Sequence, residues 1–206
     1  MGLKKFAVTP GFGVGGTVFH PDQLIKLGAV VGEEAKIELT TFKQLYIEME
    51  EERLEEVMVQ LKAIGLEIYP SGFFTKSLIT CNFCKGAEEA GLKIAKELDD
   101  AIAGIEVPYP LRIGYSGCAL ATGEPLFKDI GIVKMRNTFD IFIGGEGKTL
   151  KATLAQLLVS NVPQDQLIPI TLRLVTYFKE NGKKKEKFSA FIHRVTLEKL
   201  KEFIQT

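Results

Sequence analysis

The chain is poor in the residues from which catalytic and metal sites are most often built. It has two histidines, three cysteines, no tryptophan and five arginines against 21 lysines. An odd cysteine count in 206 residues is a poor disulfide framework, so Cys81, Cys84 and Cys118 must be thiols, ligands or inert core. His20 and His193 lie far apart in sequence and read as surface or capping residues, with no Ser/His/Asp set or metal-spaced His/Glu pair beside them. No apolar run reaches the ~18 residues of a membrane span, and the start MGLKKFAVTPGFG lacks a continuous apolar h-region. A cytoplasmic protein without a membrane partner is the expectation.

Charge of one sign is missing too. Lys plus Arg and Asp plus Glu stand at 26 each, and the lysines are scattered, which argues against a nucleic-acid partner. The basic run Lys183–Lys185 reads as a solvated turn, and the carboxylates of MEEERLEE as the wet face of a helix. What the chain does have is 46 % hydrophobic residues. About 200 residues should bury ~70 % of the unfolded surface, so the core needs no metal or disulfide to fold. Any cofactor would serve chemistry.

Periodicity gives the architecture. PDQLIKLGAVV predicts a helix over 21–31, with Leu24, Leu27 and Val31 on one face and Pro21 in its first turn. KIELTTFKQLYIEME alternates with period two and predicts two strands, or one bent strand, around Thr40–Thr41. Leu54, Val57, Met58 and Leu61 form a helical stripe stopped at Gly65, and LEIYP returns to strand. The second block predicts a strand ending on Cys81, a helix from Gly86 to Ile102, strands LRIGYSGC, DIGIVKM and TFDIFIGG, and a helix over about 149–159. Two closing helices, 167–179 and 196–203, flank the KENGKKKEKF turn. An antiparallel sheet with helices, followed by a mixed α/β sheet, makes the fold class α+β.

Two glycine patterns resemble phosphate loops. Gly11, Gly13 and Gly16 have the G-x-G-x-x-G spacing, but Thr17 to His20 separate them from the helix they should open. Gly147-Lys148-Thr149 lacks a P-loop's first glycine, since Phe142 stands there. Gly144, Gly145 and Gly147 could still turn backbone amides and a helix N-terminus toward an anion, with Lys148 adding charge; a tight strand-to-helix turn explains them equally. Cys81 and Cys84 form a C-x-x-C at a predicted strand-to-helix transition, where a helix dipole would favour thiolate. Cys118 ends a different strand and could come over the same edge. Redox exchange, an iron–sulfur cluster, zinc, and buried unliganded thiols all remain open.

The order GGTVFHPDQLIKLG, LTTFKQLYIEMEEERLEEVMVQLKAIGL, FFTKSLITCNFCKG, LRIGYSGCALATG, DIGIVK, FDIFIGGEGK resembles the nitrite/sulfite reductase family. The resemblance implies a ferredoxin-like half-domain over 1–72 and a cluster and sirohaem domain over 73–206, with a mixed α/β sheet and C-terminal helices. It implies a 4Fe–4S cluster held by Cys81, Cys84 and Cys118, beside sirohaem or a related tetrapyrrole lined by Lys43, Gln44, Lys76, Arg112, Gly144, Gly145 and Lys148. Thr41 and Gln44 match the family's Thr-x-x-Q strand. A small oxyanion substrate, an electron donor or partner subunit, and a homodimer replacing the usual two repeats also follow from it. The family's cysteines run C-x5-C and C-x3-C, whereas this chain has Thr122 in the last place and Ala87 or Ala90 in the first pair. Two readings follow: a small redox protein with the cluster, or a non-catalytic member that binds an anionic ligand or partner.

Overall fold

The computed structural model describes residues 2–205. Two compact units divide the chain, Met1–Ser71 and Gly72–Thr206.

The first unit begins with β1 (Leu3–Thr9), a strand that the sequence reading did not predict. It continues through α1 (Pro21–Val31), β2 (Lys36–Leu39), β3 (Leu45–Glu50), a 3-10 turn at Glu51–Arg53, α2 (Leu54–Ala63) and β4 (Glu67–Pro70). The sheet order is β2-β3-β1-β4 and every pairing is antiparallel, which makes a βαββαβ unit of the ferredoxin-like kind. Alternation puts Phe6 and Val8 of β1 with Ile47 and Met49 of β3, and the helices cover them with Leu27, Val31, Val57 and Leu61. Leu24, expected on the same helix face, is instead exposed.

In the second unit a short β5 (Ile79–Thr80) leads to α3 (Leu92–Ile102), β6 (Ile113–Ser116), a 3-10 turn at Pro125–Phe127, β7 (Ile130–Met135) and β8 (Thr138–Ile143). The helix expected over 149–159 does not form. An irregular loop is followed there by β9 (Gln156–Val162), which pairs with β8. Three helices close the unit: α4 (Gln164–Asn181), α5 (Phe188–Val195) and α6 (Leu197–Gln205), one more than the sequence pattern announced. The sheet order is β5-β6-β7-β8-β9, parallel from β5 to β7 and antiparallel beyond. This is the mixed α/β sheet expected. Among the described residues no helix is long and apolar enough to cross a membrane.

Candidate functional site

Parallel strands align their carboxyl ends, and in open sheets that edge is where ligands are received. Here β5 and β6 run side by side with Thr80 opposite Tyr115, so Cys81 and the Ser116-Gly117-Cys118 turn leave the sheet at one rim. The Cys81 amide donates to the Tyr115 carbonyl at 3.0 Å, and the Gly117 amide donates to the Cys81 Sγ at 3.3 Å. Cys118 therefore does come over the same edge as Cys81.

The segment after Cys81 is stitched down by Tyr115. Its phenol donates to the carbonyls of Ala90 at 2.8 Å and Gly91 at 3.3 Å, its ring lies beside Phe83 and Phe139, and burial raises its pKa. Close approach of backbones needs Gly117, where a Cβ would sit 2.5 Å from the Ala90 Cβ. The C-x-x-C does not open a helix, however: α3 begins only at Leu92, with turns between, so no helix dipole acts on Cys84.

At this rim lies a cavity of about 460 Å³ lined by Lys85, Glu89, Gly117, Cys118, Lys134 and Arg136, with Ala119 and Met135. Lys85 pairs with Glu89 at 3.1 Å, which raises the lysine's pKa. The Lys134 ammonium donates to the Arg136 carbonyl at the β7–β8 turn. Three cations against one carboxylate leave the cavity positive. Cys118 is partly exposed here, Cys81 is buried and Cys84 is exposed. Lys85, Lys134 and Arg136 escaped the sequence reading. Lys85 directly follows Cys84, but the place of Lys134 and Arg136 depends on β7 lying parallel to β6, which no local pattern reveals.

The three thiols do not make the convergent ligand set expected of them. Among the described residues no group of three or more His, Cys, Asp or Glu could hold a metal ion. The family's pattern supplies four cysteines, whereas this chain has three, with Thr122 in the last place, so the residues present cannot give a 4Fe–4S cluster its usual four thiolates.

The residues assigned to a tetrapyrrole have other partners. Arg112 is buried, and its Nε and Nη2 donate to Asp129 at 2.8 and 3.2 Å, with Nη2 also donating to Glu146 at 3.3 Å. Lys187 completes the network at 3.4 Å from Glu146. Gly145 does serve close backbone approach, but to the chain itself: a Cβ there would stand 2.4 Å from the Leu126 carbonyl oxygen and 2.5 Å from that of Lys128. The Gly144 amide donates to the Asp129 carbonyl at 2.8 Å. Lys148 is exposed and its amide donates to Glu146, but no helix follows, so the helix N-terminus expected after the glycines is absent. Lys76 is buried, its ammonium donates to the Gly72 carbonyl at 3.1 Å, and burial lowers its pKa to about 8.

Lys43 and Gln44 belong to the first unit. They stand in the turn joining β2 to β3, closed by Thr40, whose hydroxyl donates to the Gln44 carbonyl at 2.7 Å, rather than within a strand. Lys43 is exposed with φ 59° and Gln44 is buried. Gly11 to Gly16 form a small turn, with Gly13 and Gly16 exchanging backbone hydrogen bonds of 3.0 and 2.9 Å, and open no helix.

Comparison with known proteins agrees with this architecture. The chain is 29 % identical over 194 residues to cobalt-factor III methyltransferase of Priestia megaterium, covering 94 % of this chain and 35 % of that protein. It is 26 % identical to the NAD(P)H nitrite reductase large subunit of Klebsiella oxytoca, over 84 % of this chain and 18 % of the relative. It is 18 % identical to the assimilatory-type sulfite reductase of Nitratidesulfovibrio vulgaris, over 82 % and 78 %. The chain thus spans about a third of the methyltransferase and under a fifth of the nitrite reductase subunit. Among solved structures, Mycobacterium tuberculosis NirA protein superposes with a TM-score of 0.71 at 14 % identity, over 98 % of this chain and 39 % of the other. Dissimilatory sulfite reductase I gives 0.74 at 11 %, over 99 % and 69 %. Residues 75–206 match the family described as Nitrite and sulphite reductase 4Fe-4S domain, and the chain belongs to that family.

Proposed function

We propose that this nitrite/sulfite reductase-like chain binds a small oxyanion or a related anionic ligand at the carboxyl edge of β5–β7, and does so without a complete cluster or a sirohaem. The observation that carries the reading is the cavity beside Cys118, in which Lys85, Lys134 and Arg136 outnumber Glu89. Cations grouped in a concave, partly dewatered site attract anions more strongly than the same cations scattered on a convex surface. The thiol lines the same cavity, so its rate of alkylation is the readout of occupancy.

The test uses reduced, full-length protein. Sulfite, nitrite or sulfate should slow alkylation of Cys118 by neutral iodoacetamide relative to that of the exposed Cys84, a ratio that is insensitive to reagent consumed by sulfite itself, and Lys134→Ala with Arg136→Ala should remove the protection. A ligand at 100 times its Kd adds about 2.7 kcal/mol, so Tm should rise by roughly 5–10 °C. Absence of protection by all three anions overturns the reading. So does anaerobically purified protein carrying stoichiometric iron and acid-labile sulfide lost in Cys118→Ser, because that would return the thiols to a cluster.

A further inference from the structure

The same cavity offers more than an anion site, since it sets a thiol among its cations. We propose that Cys118 is a thiolation site, taking an anionic low-molecular-weight thiol of the carboxylate-bearing peptide kind from its symmetric disulfide. The inference rests on reading the cavity as an anion site and names a ligand class for it.

The three cysteines are placed differently enough for one to be selected. Cys81 is buried, and its sulfur accepts the Gly117 amide. Cys84 is exposed but does not line the cavity. Cys118 is partly exposed, lines the cavity and stands there with Lys85, Lys134 and Arg136. The guanidinium of Arg136 makes no hydrogen bond or ion pair among the described residues, whereas Lys85 is engaged with Glu89. A volume of about 460 Å³ admits a short peptide, where a bare oxyanion would leave most of it to water.

In the reaction the Cys118 Sγ, having given its proton to solvent, attacks one sulfur of the small disulfide. A sulfur–sulfur bond forms between Cys118 and that half while the reagent's own bond breaks. The other half leaves as thiolate and takes up a proton. Cys118 is oxidised, the departing half is reduced, and the small disulfide is the only oxidant required. The carboxylates of the retained half lie against Arg136 and Lys134.

The experiment compares two reagents of opposite charge on the reduced full chain: oxidised glutathione, which is anionic, and cystamine, which is cationic. The modified residue is read by peptide mass spectrometry. Glutathione disulfide should modify Cys118 about tenfold faster than cystamine at low salt, relative to the rates of the two reagents on Cys84. Lys134→Ala and Arg136→Ala should each shrink the preference, and added salt should shrink it in the parent. Equal rates on Cys118 for the two reagents, modification concentrated on Cys84, or a preference untouched by the two substitutions each overturn the proposal. If these fail while simple anions still protect Cys118 from iodoacetamide, the thiolation idea alone falls. If that protection fails as well, the anion site falls with it.

Discussion

Gly145 separates two explanations of one glycine. A glycine that admits a ligand should tolerate Gly145→Ala in stability and lose only binding. The structure instead puts the added methyl against the Leu126 and Lys128 carbonyl oxygens at 2.4 and 2.5 Å, backbone atoms that cannot swing aside. Gly145→Ala should therefore lower stability by about 1–3 kcal/mol in urea unfolding, with no ligand present. A stable variant would mean that the turn yields and that the glycine serves something outside the chain. Lys76 makes a second case at this scale. Its ammonium is buried beside the Gly72 carbonyl and its pKa falls from 10.5 to about 8 through burial. Between those values the unfolded chain holds a proton that the folded chain has released, so stability rises with pH across that window and levels off below pH 8. Lys76→Met should flatten the rise, as measured by unfolding at pH 8 and pH 10. An unchanged slope would show that other groups set it.

Among the elements, the Arg112–Asp129–Glu146–Lys187 network joins the residue before β6, the residue before β7, the loop after β8 and the residue that opens α5. A buried charge left alone is worse than a buried pair replaced whole. Asp129→Asn should cost about 3–5 kcal/mol, whereas Arg112→Met combined with Asp129→Leu should cost less than either single change, a comparison that a double-mutant cycle reads directly. Additive losses would show that the charges do not depend on one another. The network also shows where sequence reading stops. The periods at 21–31, 45–50 and 54–63 announced α1, β3 and α2, because their stripes face one local core. Over 149–159 the leucines at 150, 154, 157 and 158 fall at helical spacing, yet Leu150 and Leu154 are exposed and the chain from 156 is drawn into strand by pairing with β8. Arg112 read as a ligand-facing cation because its partners lie 17 and 34 residues away. Cys81 and Cys118 were legible as neighbours, since both close strands of one parallel pair; Lys134 and Arg136 needed the register of β7.

At the scale of the molecule, all the lining residues of the cation and thiol cavity come from Gly72–Thr206, while Lys43 and Gln44 come from Met1–Ser71. The first unit has its own core of Phe6, Val8, Leu27, Ile47, Val57 and Leu61, and the second closes its sheet with α3 to α6. A chain of about 135 residues buries roughly two thirds of its unfolded surface, enough to fold without help. Residues 72–206 expressed alone should therefore unfold in one cooperative transition and keep the anion protection of Cys118. Lys43→Ala in the full chain should leave that protection unchanged. Loss of protection in the fragment, despite a cooperative transition, would overturn the assignment of the site to the residues of the second unit.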